Sequence, residues 1–259
     1  YKQKPLLTIA SRVALLFQEE SAMKTRSILV VNDDGIQAEG ILRLAQAARP
    51  YGEVWVVAPD SQRSGMSHSI HYLNPVEVWR QDTFPADVRA FACSGTPVDC
   101  VRVGIKLMGR KPDVVLSGIN NGYNIASDIQ YSATVGAALE AAFWGIHAIA
   151  LSQDSPQCPV TDKYLPQLLE EYIDKKLTDS QIWNINFPGC PPEACRGVMY
   201  GCTVSKDSFY ADDYSAEELD PDHMRFQVIP GRNWQGSEGT DLFAICHQYV
   251  SVGIVNNVG

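Results

Sequence analysis

The chain is short of positive charge: 21 Lys and Arg stand against 30 Asp and Glu, giving a formal net charge of -9 and a pI near 5.0. Binding a nucleic-acid polymer is largely neutralisation of phosphates by basic side chains, so this balance excludes a polymer groove and leaves room for a small anion at one local site. No apolar run is long enough to span a bilayer, so no membrane partner is expected. No paired Cys-x-x-Cys occurs. The 7 cysteines are odd in number and scattered, which suits free thiols in a reducing compartment better than a disulfide framework. Cys190, Cys195 and Cys202 lack an obvious fourth ligand for zinc. No Gly-x-Gly-x-x-Gly follows the first strand, which disfavours a dinucleotide oxidoreductase, and residues 104–111 lack the Gly-Lys-Ser/Thr end of a phosphate loop. Internal repeats and low-complexity segments are absent.

With 259 residues and 45% apolar content, the chain suffices for one large α/β domain, expected over residues 23–259. Residues 6–17 are apolar but broken by Arg12, and no small-residue cleavage site precedes Met23, so they make a poor signal peptide. Met23 is the expected natural start, with residues 1–22 a leader outside the fold; a weak secretory signal is the alternative. A cytoplasmic location is expected.

The most informative stretch is Ile28-Leu29-Val30-Val31-Asn32-Asp33-Asp34-Gly35, a buried strand that ends in a tight turn. Two carboxylates about 4 Å apart in a partly dry pocket repel by kilocalories, and the usual reason to keep them is a cation between them. The plainer reading is one helix cap and one solvated Asp. Ile41, Leu44, Ala45 and Ala48 then follow helical spacing up to Pro50-Tyr51-Gly52, and residues 54–58 form a second strand. The crossover makes a parallel βαβ unit. It places the polar loop Ala58-Pro59-Asp60-Ser61-Gln62-Arg63-Ser64-Gly65 at the same sheet edge as Asp33.

Residues 68–93 read as an extended excursion. Thr96, Pro97 and Asp99 together signal a helix start, with Val98, Val101, Ile105 and Met108 as its buried stripe. Residues 113–117 are a third strand emptying into a Gly- and Asn-rich loop, 118–124. Ser132 is the expected N-cap of the next helix, whose first-turn N–H groups favour an anion. Strands at 147–152 and 182–187 flank an amphipathic helix marked by Leu165, Leu168, Leu169, Tyr172, Ile173 and Leu177. Residues 207–222 carry seven acids, Asp207, Asp212, Asp213, Glu217, Glu218, Asp220 and Asp222, and read as a solvated loop or hairpin arm. A last strand is expected near 243–255.

Ligands of a parallel sheet bind outside the carboxyl ends of its strands. That edge gathers Asp33, Asp34, the Arg63-Ser64-Gly65 loop, the Ser117-to-Asn120 loop and the Ser132 helix start. Oxygen-only donors suit magnesium or manganese rather than zinc, and the neighbouring N–H groups suit a phosphate. Metal-assisted phosphoester hydrolysis is the chemistry this points to. His68 and His71 read as surface or packing residues, and no general acid is assigned.

Asn32-Asp33-Asp34-Gly35, Ala58-Pro59-Asp60 with Arg63-Ser64-Gly65, Gly95-Thr96-Pro97-Val98-Asp99-Cys100, Ser117-Gly118-Ile119-Asn120 and Tyr131-Ser132-Ala133-Thr134-Val135 stand in an order and spacing that resembles the SurE family. These are survival-protein 5'/3'-nucleotidases, acid phosphatases of stationary-phase bacteria. The resemblance covers about residues 26–187, with a weaker echo at Gly239-Thr240-Asp241. It implies a Rossmann-like three-layer α/β/α fold with a mostly parallel sheet, a β-hairpin excursion and a C-terminal extension, truncated here. It implies one divalent metal ion per subunit, Mn or Mg, held by Asp33, Asp34, Ser64 and Asn120, with Asp33, Asp34 and Asn120 catalytic. Ser64, Gly65, Ser132 and Thr134 would hold phosphate. The implied substrates are nucleoside 5'- and 3'-monophosphates and short polyphosphate, and the implied assembly is a homodimer or homotetramer.

The chain departs from the pattern at Ala133, where the family has Gly and where a methyl now meets the anion's approach. After Val252 the usual continuation is replaced and the tail is missing, so weakened assembly is expected. Two alternatives stay open: a homologue that holds metal and nucleotide without turnover, and a phospho-acceptor signalling domain. The second needs an Asp at the end of the third strand, where this chain has Ser117-Gly118.

Overall fold

Strand β1 (Ser27–Val31) is buried along its whole length, and its side chains alternate between two cores, Ile28 and Val30 in one, Leu29 and Val31 in the other. That is the period of two of a strand covered on both faces. The computed structural model describes residues 26–178 and 180–257, so the expected leader, residues 1–22, lies outside the described residues. The further strands are β2 (Glu53–Pro59), β3 (Val78–Gln81), β4 (Val88–Cys93), β5 (Val114–Asn121), β6 (His147–Gln153), β7 (Gln181–Phe187), β8 (Val198–Cys202), β9 (Asp213–Asp220), β10 (His223–Ile229) and β11 (Val250–Asn256). Nine of them form one sheet in the order β3-β4-β2-β1-β5-β6-β7-β11-β8, and β9 and β10 pair with each other. From β4 to β7 neighbouring strands are parallel.

Helices cover both faces. α1 (Glu39–Ala48) and α4 (Pro159–Tyr172) bring Ile41, Leu44, Leu165 and Leu168 to one core. α2 (Pro97–Met108) and α3 (Ala133–Phe143) bring Val101, Ile105, Val135 and Ala138 to the other. The short α5 (Asp241–Cys246) precedes β11. Local chemistry sets the ends: Thr96 Oγ1 accepts the Asp99 N–H at 3.1 Å while Asp99 accepts the Thr96 N–H at 3.0 Å, a capping box with Pro97 in the first turn. Gly109 ends α2 in the left-handed conformation, φ 67°.

The three-layer α/β/α arrangement is the expected one, with differences of detail. The excursion at 68–93 carries the expected hairpin, β3 antiparallel to β4, and β4 also joins the main sheet in parallel beside β2. The third strand does not stop at Ser117: β5 runs on through a register shift to Asn121, with Asn120 beside Ser152. Residues 243–246 belong to α5, not to the last strand. The acidic segment is a hairpin arm, β9–β10, exposed along both strands. All 7 cysteines are free thiols. Among the described residues no helix is long and apolar enough to cross a membrane.

Gly40 lies hard against β5: a Cβ there would stand 2.1 Å from the Ile119 carbonyl oxygen. Helix propensity alone favours Gly40→Ala by about 1 kcal/mol. The clash with backbone reverses the sign, and a net loss of about 1–3 kcal/mol is expected. Urea denaturation measures it; a raised midpoint would show that the helix does not sit on that carbonyl.

Candidate active site

The chain winds outward from β1 through β2 on one side and from β5 through β6 on the other, so the carboxyl ends of β1 and β5 flank the topological switch point where ligands of such sheets bind. Asp33 and Asp34 follow β1, and Asn120 lies on β5. A cleft of about 550 Å³ opens there, and Asp33, Ser64, Gly65 and Asn120 line it. Asp34, Ser132 and Thr134 do not.

The turn after β1 is held from three directions. Asn32 Nδ2 donates to the Gly35 carbonyl at 2.9 Å, the Arg63 N–H donates to the Asp33 carbonyl at 2.7 Å, and the Asn121 N–H donates to Asp34 Oδ2 at 2.8 Å. Asp33 is 3% exposed. The Thr134 hydroxyl donates to its Oδ1 at 2.6 Å, and the Thr134 carbonyl accepts the Ser117 hydroxyl at 2.7 Å. Burial, reinforced by the charge of Asp34 and only partly offset by Thr134, pushes the Asp33 carboxyl up to about 6. Burial also raises Asp34, against the Asn121 N–H. Asn120 Nδ2 donates to the Gly122 carbonyl at 2.8 Å, which leaves its amide oxygen free to accept. Ser132 accepts the Val135 N–H at 3.1 Å and caps α3 as expected. Among the described residues no three His, Cys, Asp or Glu side chains cluster as a metal site.

His68 and His71 do not line the cleft. His68 Nε2 meets Glu140 at 2.9 Å and His71 Nδ1 meets Asp99 at 2.8 Å, so they fasten the loop beyond Gly65 to α3 and α2. The Ser67 N–H donates to the Tyr131 carbonyl at 3.0 Å in the same contact.

The far side of the cleft was not foreseen from the sequence. It is made by Tyr123, Asp128, Tyr131 and, from the root of the arm, Ser208, Tyr210, Asp212 and Tyr214. About eighty residues separate Asp128 from the Ser208, Phe209 and Tyr210 groups it accepts from, and no local pattern announces such a pairing.

A family model described as "Survival protein SurE" matches residues 28–210. The chain belongs to the SurE family. A relative named 5'-nucleotidase SurE from Clostridium botulinum (strain ATCC 19397 / Type A) is 37% identical over 233 residues, with 87% of this chain and 91% of that protein covered. A protein of the same name from Mesorhizobium japonicum is 39% identical over 239 residues with the same coverage. The crystal structure of the SurE protein from Aquifex aeolicus superposes with a TM-score of 0.75 at 31% identity, covering 90% of this chain and 94% of that one. The family's matched span thus includes every residue that lines the cleft up to Tyr210.

Glu140 anchors the loop side of the site, accepting from Arg102 Nε at 2.6 Å and Trp144 Nε1 at 2.9 Å besides His68. Burial alone would raise its carboxyl, but the hydrogen bonds from His68, Arg102 and Trp144 and the Arg102 charge outweigh it and hold it at about 2. A carboxylate depressed on folding adds stability above its unfolded pKa and loses it as pH falls through the folded value. Glu140→Gln is therefore expected to be about 1–3 kcal/mol less stable at pH 7, with the gap closing between pH 4.5 and 2. Urea titrations across that range measure the gap; a constant one would show that the ionised carboxylate is not what holds the loop.

Proposed function

We propose that this protein is a divalent-metal-dependent phosphomonoesterase that hydrolyses nucleoside 5'- and 3'-monophosphates, with short polyphosphate as a further substrate. The relatives named 5'-nucleotidase support the reaction class. The observation that carries the metal dependence is the buried Asp33 beside Asp34 in a cleft whose lining contains no Lys or Arg among the described residues. A dianionic phosphate has no positive side chain to meet there, and a cation between two adjacent carboxylates would offset the repulsion that their hydrogen bonds leave. The donors fit a hard divalent ion: carboxylates of Asp33 and Asp34, the Ser64 hydroxyl and the oriented amide oxygen of Asn120.

When bound, such an ion supplies a water of lowered pKa and positive charge against the phosphoryl oxygens. The chain's own residues do the rest. Thr134 fixes the Asp33 carboxylate through its hydroxyl, and Asn121 fixes Asp34 through its N–H. Gly65, with φ 74° and no atom within 4 Å of an added Cβ, leaves backbone open towards the cleft, and Ser64 stands beside it as a donor to a phosphoryl oxygen. Ser132 caps the helix whose first-turn N–H groups favour the negative charge that spreads over the phosphoryl oxygens. In this reading Thr134 serves the anion through Asp33, since its hydroxyl is already committed.

Release of phosphate from adenosine 5'- and 3'-monophosphate, with and without manganese or magnesium, tests the activity; no release from either nucleotide with metal present would end the reading. Asp33→Asn tests the site apart from turnover. Removing one of two repelling, buried charges should leave the metal-free variant melting no lower than metal-free wild type. Manganese at a hundred times its dissociation constant should stabilise wild type by about 2.7 kcal/mol and the variant far less. An equal metal-induced shift in both proteins would remove Asp33 from the ion's ligands.

A further inference from the structure

The proposed chemistry occupies only the β1 and β5 side of the cleft, and the opposite side is built by two long-range carboxylate staples. Asp128, 8% exposed, sits in the turn Ala126–Tyr131. It accepts the Ser208 hydroxyl at 2.8 Å, the Phe209 N–H at 2.6 Å and the Tyr210 N–H at 3.0 Å. Behind the same turn, Asp241 accepts the Ala126 N–H at 2.9 Å and the Ser205 N–H at 2.9 Å. Phe209 is fully buried. Its ring meets Tyr123 at 5.6 Å, Tyr210 at 5.0 Å and Trp234 at 5.2 Å, each edge to face. The root of the arm is therefore rigidly seated, whereas β9 and β10 beyond it are exposed throughout and, among the described residues, pair with each other alone. Whatever the arm presents to the cleft, its root places there.

What it presents is aromatic. Tyr214, 61% exposed, lines the cleft from the arm, and Tyr131, 67% exposed, lines it from the end of the Asp128 turn. Large rings left open to water beside a polar cleft suit a flat ligand. Every nucleobase offers a π face, and stacking on an aromatic side chain is tolerant of which base it is. The cleft's volume of about 550 Å³ is also of the size that takes a whole small ligand rather than a phosphate alone.

We propose that Asp128 is a positioning residue which seats the arm root as the nucleoside-binding wall of the cleft, with Tyr131 and Tyr214 as the rings that meet the base. The proposal rests on the reading above in placing the phosphate at the Asp33 end. It adds that nucleotide preference comes from the arm side and not from the phosphate side.

Calorimetric binding to the manganese-loaded protein separates the two ends, with adenosine 5'-monophosphate and inorganic phosphate as probes. Wild type should bind the nucleotide at least roughly tenfold more tightly than phosphate. Tyr131→Ala and Tyr214→Ala, both at exposed positions, should each weaken the nucleotide by roughly tenfold and leave phosphate unchanged. Asp128→Asn should weaken the nucleotide by as much, again without moving phosphate or the manganese-induced rise in melting temperature. Should Asp128→Asn fail to fold, Ser208→Ala removes one donor to Asp128 and should give a smaller loss, about two- to threefold, on the nucleotide alone. Equal affinity for both probes in wild type overturns the proposal, as do variants that weaken both probes together or neither. Hydrolysis followed in parallel keeps the two readings apart: a wild type that binds the nucleotide by this wall but releases no phosphate defeats the proposed activity and upholds the wall.

Discussion

The Thr134 hydroxyl donates a hydrogen bond to Asp33 at 2.6 Å, with both side chains out of water, and the elements around it are arranged to bring those two groups together. The helix that carries Thr134 must lie close to the sheet, and its buried face is mostly alanine and glycine. Ser117 ties β5 to the same residue from below through the Thr134 carbonyl. The next step of β5 is possible only with glycine: Gly118 has φ 142°, and a Cβ there would stand 2.2 Å from the Leu151 carbonyl oxygen. The kink at that point carries Asn120 to the cleft instead of letting the strand run straight on. β1, β5 and α3 thus converge on one carboxylate, held where burial raises its pKa and where its charge is hardest to keep.

An acidic chain needs partners for its buried carboxylates, and here many are backbone N–H groups. Asp34 accepts from Asn121, Asp99 from Thr96 and His71, Asp128 from Phe209 and Tyr210, and Asp241 from Ala126, Ser205 and Leu242. Such charge-assisted bonds contribute about 1.5–3 kcal/mol each, and they act at loops, where the chain has no ladder of its own to satisfy those donors. The outcome is a site whose walls are loops but whose loops are pinned. Basic residues such as Arg43, Arg26 and Arg102 serve ion pairs away from the cleft.

What could be read in the sequence was whatever is decided within a few residues. The buried strand before Asn32-Asp33-Asp34, the triple start signal at Thr96-Pro97-Asp99 and the Ser132 cap are local, and the structure has them at those positions. The extension of β5 to Asn121 was not legible, because Gly118-Ile119-Asn120-Asn121 has turn composition and is held in the sheet by β6. The helix at 241–246 did leave a signal that apolar content obscured: Thr240 accepts the Phe243 N–H, the spacing of an N-cap and its third residue. The arm's share of the cleft left no signal of that kind. Asp128 and Tyr210 are ordinary residues until folding joins them across the chain.

The charge of the cleft also fixes an order of events on the proposed reading. Asp33, Asp128 and Asp212 all line it, with no basic residue among the described lining to offset them, on a protein of net charge -9. A nucleotide dianion approaching that surface is repelled at long range, and the repulsion is strongest at low salt. On that reading a divalent cation would be drawn in by the same field, and held by Asp33 and Asp34 it would offset their charge where phosphate must land. Binding of the cation would then precede productive binding of the substrate, and the raised pKa of Asp33 would set the pH at which that happens. Burial pushes its carboxyl up to about 6, so on that reading a cation and a proton would compete for it. On the proposed reading metal affinity and acidity would thus be coupled through one residue, raised in pKa by the same burial that fixes it at the cleft.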